Sequence, residues 1–183
     1  MALAPKDTMT VADFLAWAET QADQRYELLD GAVIAMAPER LGHGRAKQSA
    51  FVALRTAIAR SALACEAFVD CAGVATGDRT VFIPNIVVNC GERPDDELQL
   101  VPSPVIVIEI LTPSTQRVDQ ITKLTEYFRI PSLIHYVIVD SAKRAVIHHR
   151  RQSTDLVQTA LLRAGQITFD PPGLTIALDD LLG

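Results

Sequence analysis

Between Pro104 and Leu111 the chain reads Pro-Val-Ile-Val-Ile-Glu-Ile-Leu, an almost unbroken apolar run with one carboxylate inside it. A run of this length, rich in β-branched residues and bounded by turn-forming Ser103-Pro104 and Pro113-Ser114, fits a strand covered on both faces. Such a strand requires neighbours on each side and helices above or below it, which excludes an all-helical bundle and an isolated hairpin. It also makes Glu109 conspicuous. A buried carboxylate is costly unless it is paired or holds a cation. Two explanations stand open for it: a satisfied structural acid, or a functional group near the carboxyl end of a strand, where ligand sites of α/β sheets gather.

The flanking segments supply the remaining layers. Thr10 followed by Asp13 resembles a capping box ahead of a helix containing Phe14, Leu15, Trp17 and Ala18. Asp30-Gly31 between two short apolar runs predicts a tight hairpin. A second helix is expected from Gly44 to Leu63, and a third from the polar Pro113-Gln116 region to about Arg129. Residues 66–91 read as two strands joined at Gly77-Asp78, a hairpin in which Asp70 would lie opposite Asn85 on one face. "SLIHYVIVD" is a further central strand with "AVIHHRR" paired to it. The tail gives "LVQTALLR", a turn at Ala164-Gly165, "QITF", and a short terminal "TIALDDLL" expected to pack as a half-helix. The class that follows is α/β, a mixed central sheet flanked by helices in a single domain spanning residues 1–183.

Composition narrows function only by exclusion. Of 183 residues, 49% are hydrophobic and 21% charged, a globular balance rather than a disordered one. No apolar run is long enough to span a bilayer, and the N-terminus lacks the basic and apolar segments of a signal peptide. Cys65, Cys71 and Cys90 form an unpatterned odd set, read as reduced cysteines of a cytoplasmic protein. A net charge of −5 argues against coating nucleic acid with the whole surface, but it leaves room for a local basic groove or an acidic metal site.

Two further features carry chemistry. Lys123 lies at the margin of a stripe formed by Ile121, Leu124, Tyr127 and Phe128, beside Tyr127 at i+4 and with Asp119 at i−4. Taken alone it reads as one end of an exposed helical ion pair. The densest basic cluster, Lys143, Arg144, His148, His149, Arg150 and Arg151, suits either phosphate contacts or a charge-protected strand edge. Arg45 and Lys47, close to His43, are open to the same two readings.

"YELLDGAVIAMAP", His43, "IPNIVV", "VIEILTPST", "DQITKLTEYF" and "HYVIVD" occur in that order over residues 9 to 150. In this arrangement the chain resembles the bacterial restriction-endonuclease-like proteins of the PD-(D/E)XK nuclease superfamily, a family numerous in cyanobacteria. The resemblance implies a restriction-endonuclease-like topology and a divalent-metal-dependent DNA endonuclease using Mg²⁺ or Mn²⁺. It implies Glu109 as the family glutamate, Glu27 as the upstream acid and Lys123 as the lysine, displaced onto the following helix. The position after Pro84, aspartate in the family, is Asn85 here, a neutral oxygen donor. Asp70, if it faces Asn85, would supply the missing charge. The catalytic set is therefore Glu109, Lys123 and Asn85, with Glu109, Asn85, Glu27 and Asp70 toward the metal. His43, Arg45, Lys47, Arg150 and Arg151 would contact DNA, with His43 equally suited to a structural role. Cleavage of both strands would call for a homodimer. The alternative from a different class is a nuclease-fold module without catalysis that binds DNA or protein, and Asn85 separates the two.

Overall fold

The computed structural model describes residues 8–21, 24–111 and 117–183, with side chains left undescribed at 117–119. The expected helix start at Pro113-Gln116 and the Asp119 end of the Asp119–Lys123 pair lie outside the described residues. α1 (Val11–Ala18) begins at the expected capping box, in which Thr10 and Asp13 bond reciprocally. β1 (Tyr26–Leu29) and β2 (Ala32–Ala35) form the Asp30-Gly31 hairpin, and both turn residues take positive φ, 50° and 84°. That conformation explains the glycine.

α2 (Leu41–Ser61) is followed by β3 (Cys65–Val69), β4 (Val74–Gly77), β5 (Thr80–Phe82) and β6 (Ile86–Cys90). The single hairpin expected here is two half-hairpins in different sheets. β4 pairs with β5 through a loop of Asp78 and Arg79, and a register irregularity follows between Ala75 and Gly77. The chain then changes sheets across residues 70–73, and β3 pairs with β6. The tight turn is thus displaced by one residue from Gly77-Asp78. Farther along, Val69 still faces Ile86, and the Asp70 N–H donates to the Asn85 carbonyl at 3.2 Å.

β7 (Pro104–Ile110) is the doubly covered strand, and α3 (Arg117–Tyr127) carries the chain over to β8 (His135–Asp140), which runs parallel to β7. β9 (Ala145–Ser153) and β10 (Leu156–Leu162) extend the sheet antiparallel, giving the order β10-β9-β8-β7-β6-β3. A smaller sheet has the order β2-β1-β5-β4. The tail is a β11 (Gln166–Phe169) and β12 (Leu174–Ala177) hairpin followed by α4 (Leu178–Leu182). "TIALDDLL" is therefore half strand and half helix.

Alternation along the large sheet sorts its side chains into two cores. Ile86, Ile106, Ile108, Ile110 and Val137 pack with Ala50 and Leu54 of α2 and with the tail residues Phe169, Leu178 and Leu181. On the other face Val87, Val107, Tyr136 and Ile138 pack with Tyr127 of α3 and with Phe82 of the small sheet. Phe14, Leu28 and Val81 close a third cluster under α1. Glu109 has the parity of Val107 and so lies on the α3 face.

Three expectations are corrected here. Cys65 and Cys90, directly opposite on β3 and β6, form a disulfide, and Cys71 is free and exposed. Spacing alone gave no sign of this, because the pairing depends on strand register. Closing that 25-residue separation restrains the unfolded chain by about 3.5 kcal/mol in the chain-entropy account. Ile121, placed in the inward stripe of the third helix, is 68% exposed. The inward face carries Lys123, Leu124 and Tyr127, and Ile121 lies about 200° around the helix from Lys123. The basic strand segment is turned inward. His148 and His149 are buried, with His148 against His135 at 2.9 Å and His149 against Thr159 at 2.8 Å. Arg151 donates to the carbonyls of Phe128, Ile130 and Leu133 just beyond α3, and Arg150 to that of Asp170. Among the described residues no helix is long and apolar enough to cross a membrane.

Candidate active site

Three segments distant in sequence deliver one charged cluster at the carboxyl end of β7. Leu28 points into the α1 core, so its neighbour Glu27 on β1 points the opposite way, toward the large sheet. Glu109 arrives from β7 and Lys123 from the inward face of α3. The Lys123 ammonium stands 3.2 Å from Oε1 of Glu27 and 3.1 Å from Oε1 of Glu109. The three side chains are only 12%, 13% and 14% exposed for Lys123, Glu27 and Glu109 respectively. At such burial the attraction is far less screened than on a surface. Phe82 lies beneath the ammonium, 5.2 Å from its ring centroid.

Each carboxylate directs one oxygen inward. Oε1 of Glu27 also accepts the Ile83 N–H at 3.0 Å, and Oε1 of Glu109 also accepts the Tyr127 hydroxyl at 2.9 Å. Among the described residues neither Oε2 takes a hydrogen bond, and both side chains keep some exposure. Burial is the largest influence on Glu27 and raises its pKa. Lys123 opposes that rise, and the neighbouring Glu109 adds to it. Two carboxylates thus share one lysine and retain two outward oxygens.

Asn85 is buried, and by register it falls opposite Glu109 on the same face, one step beyond the Ile86–Ile108 pair. Its Oδ1 accepts the Ile110 N–H at 2.8 Å. This bond orients the amide: the oxygen is engaged by the backbone, and the second terminal atom is an NH₂ group. An aspartate could make the same backbone bond and still present an oxygen. Asparagine presents a donor.

Asp70 is directed elsewhere. Its φ of 51° ends the strand alternation at the change of sheets, so the side chain leaves the face that Asn85 shares with Glu109. It meets Lys47 of α2, with Arg25 3.7 Å away. Lys47 also binds Glu39, and His43 lies 3.5 Å from Glu39. Lys47 was expected on the surface but is buried among these partners, because its position on α2 faces the sheet end. Arg45 is exposed. The Tyr127 hydroxyl, the Ile83 N–H and the Ile110 N–H are site groups that the sequence did not mark. Only Tyr127 left a trace, through its i+4 spacing from Lys123.

The donor set can be tested against a divalent cation from these contacts. Hard Mg²⁺ needs oxygen ligands, keeps several waters, and is held in many sites by one or two carboxylates. The outward oxygens of Glu27 and Glu109 meet that requirement. Among the described residues no group of three or more acidic, histidine or cysteine side chains is placed to hold a metal ion, so the donor set offered here is the two carboxylates.

The fold and this cluster define a class: a mixed α/β domain with two carboxylates and a lysine at the carboxyl end of a central strand. The chain belongs to the Uma2 family, described as "Putative restriction endonuclease", whose sequence model matches residues 11–179. A Synechocystis protein described as "Uncharacterized protein slr1290" is 25% identical over 96% of this chain and 92% of its own length. Among solved structures, "a putative nuclease belonging to DUF820" from Anabaena variabilis superposes with a TM-score of 0.73 at 18% identity, covering 95% of this chain and 97% of that one. The restriction-endonuclease-like fold read from the sequence is thereby borne out.

Proposed function

We propose that this protein is a divalent-metal-dependent DNA endonuclease whose active site is formed by Glu27, Asn85, Glu109 and Lys123. The observation that carries the reading is the meeting of Glu27, Glu109 and Lys123 within 3.2 Å, from three distant segments, at the end of β7. Membership of the Uma2 family gives the same direction at the level of class. When bound, Mg²⁺ or Mn²⁺ would polarise a phosphate oxygen and lower the pKa of a water. Glu27 and Glu109 would hold it through their outward oxygens. Lys123, held by the inward ones, would stabilise the negative charge that builds on the phosphate oxygens as water attacks. The Asn85 amide would donate to a phosphate oxygen. Of the expected basic residues Arg45 is the exposed one, and it would meet the DNA backbone. Cleavage of both strands would require two copies.

A second reading is favoured by one specific observation, the donor that Asn85 presents where an acid would supply an oxygen. On that reading the protein binds nucleic acid or protein without cutting. Incubation of wild type, Asn85→Asp and Glu109→Ala with supercoiled and branched DNA, in Mg²⁺ or Mn²⁺, separates the two. Endonuclease activity predicts nicking by wild type and none by Glu109→Ala. Cutting gained only in Asn85→Asp would support the binding reading for the natural chain, and the absence of cutting by every variant would overturn the nuclease proposal.

A further inference from the structure

Glu109 is approached by two donors from a single helix face. Tyr127 stands one turn beyond Lys123 on α3, and both reach the same oxygen, at 2.9 and 3.1 Å. The Tyr127 ring is wholly buried between Phe82 and Tyr136, with centroids 5.3 and 5.0 Å away. A phenylalanine would fill that space equally well, so packing accounts for the ring and leaves the hydroxyl unexplained. Burying a hydroxyl is costly unless it is bonded, and its partner among the described residues is Glu109. Burial foremost, and the Glu109 carboxylate next, raise the phenol pKa well above 10, so it remains a donor at all ordinary pH. The last torsion of a glutamate is broad, and a lysine on a flexible stem restrains it poorly. A hydroxyl on a ring locked between two others adds a direction that does not wander.

We infer that Tyr127 is a positioning residue: by holding Oε1 of Glu109 inward beside Lys123, it fixes Oε2 as the oxygen offered to a divalent cation. This rests on the metal-dependent reading above and adds to it a residue that touches neither cation nor substrate.

The test is Mn²⁺ binding without DNA, by titration calorimetry and electron paramagnetic resonance, for wild type, Tyr127→Phe and Glu109→Gln. The same set is repeated on an Asn85→Asp background, and every titration is run below the lowest melting onset of the metal-free proteins. Tyr127→Phe is expected to weaken Mn²⁺ three- to tenfold while leaving the fold intact by circular dichroism. A purely structural hydroxyl would shift melting and leave the Mn²⁺ Kd of the folded protein unchanged. Binding that Glu109→Gln abolishes and Tyr127→Phe leaves equal or tighter overturns this inference alone. Mn²⁺ binding that is absent, or indifferent to Glu109→Gln, on both backgrounds overturns the metal-dependent reading together with it.

Discussion

Two lysines in this protein each stand between two carboxylates, and the surroundings give them opposite characters. Lys123 meets Glu27 and Glu109, while Lys47 meets Glu39 and Asp70. Around Lys47 the acids have further cationic company. Arg25 lies 3.4 Å from Glu39 and 3.7 Å from Asp70, and His43 lies beside Glu39. Burial would raise the Glu39 pKa, but its hydrogen bond to Lys47 and the charges of Lys47, His43 and Arg25 outweigh that, and the net shift is downward. Around Lys123 no second cation is present among the described residues, and the Glu27 pKa is raised. One cluster is neutralised within the chain. The other is short of positive charge and has oxygens to spare, which is the condition for accepting a cation from outside.

The largest effect that separates them is catalytic. Lys123→Met should lower DNA cleavage by roughly 10² to 10³, the usual loss when one preorganised charge-stabilising donor is removed. Lys47→Met should leave the rate per folded molecule within about threefold, since its partners already consume its charge. Steady-state nicking rates at saturating Mg²⁺ measure both, and equal losses would end the distinction between the two clusters.

Stability should rank them the other way. Removing Lys47 leaves Glu39 with the half-exposed Arg25 and His43 in reach, and Asp70 with Arg25 alone among the described residues. Breaking a partly buried pair in this manner costs roughly 2 to 4 kcal/mol. Lys123→Met should cost less, because burial already raises the Glu27 pKa and losing the lysine charge lets Glu27 relieve the loss by taking up a proton. Urea midpoints of the two variants at one pH decide the order.

The strands that carry the first cluster were legible in the sequence, and the charges that complete it were less so. An apolar run such as 104–111 can satisfy its backbone only inside a sheet, and Glu109 within it demanded a partner. Lys123 looked marginal because a helical wheel weighs apolar side chains alone. Its ammonium is drawn inward by acids more than ten residues away, which turns Ile121 outward. Asp70 was misplaced by one dihedral: alternation holds through Val69, and a left-handed φ at the next residue sends the carboxylate to Lys47. Arg150 and Arg151 read as surface charge because their acceptors are backbone carbonyls, which carry no signature in composition. The Cys65–Cys90 link likewise depends on register, known only once β3 and β6 are paired.

Asn85 gives an intermediate effect that sharpens the charge argument. In Asn85→Asp one oxygen can retain the Ile110 N–H while the other adds a negative charge to the deficient cluster. A charge about 4 Å from a divalent cation is worth several kcal/mol at an effective dielectric near 20, before screening by solvent. A gain of at least about tenfold in Mn²⁺ affinity, some 1.4 kcal/mol, is therefore expected by calorimetry. An unchanged Kd would mean that position 85 does not face the cation.

The smallest effect is a matter of sign, and the two clusters should differ in it most cleanly. Glu27 has a folded pKa above its ordinary value of 4.5, so over that interval the folded state holds more protons than the unfolded state. Its stabilising contribution is complete below about pH 4.5 and is lost as pH rises through the folded value. Glu39 has a folded pKa below 4.5, so its contribution is present above that pH and is lost as pH falls through the folded value. Glutamine removes both titrations. Glu27→Gln should therefore gain stability relative to wild type as pH rises from 4 to 7, and Glu39→Gln should lose it over the rise through its folded value below 4.5. His135 and His148, each depressed to about 4 chiefly by burial, also weaken the protein as pH falls from 6.5. They do so in wild type and variants alike, so the difference in urea midpoint isolates the two glutamates. Matching slopes for the two variants would mean that both lysine clusters are equally neutralised, and the contrast between them would fall.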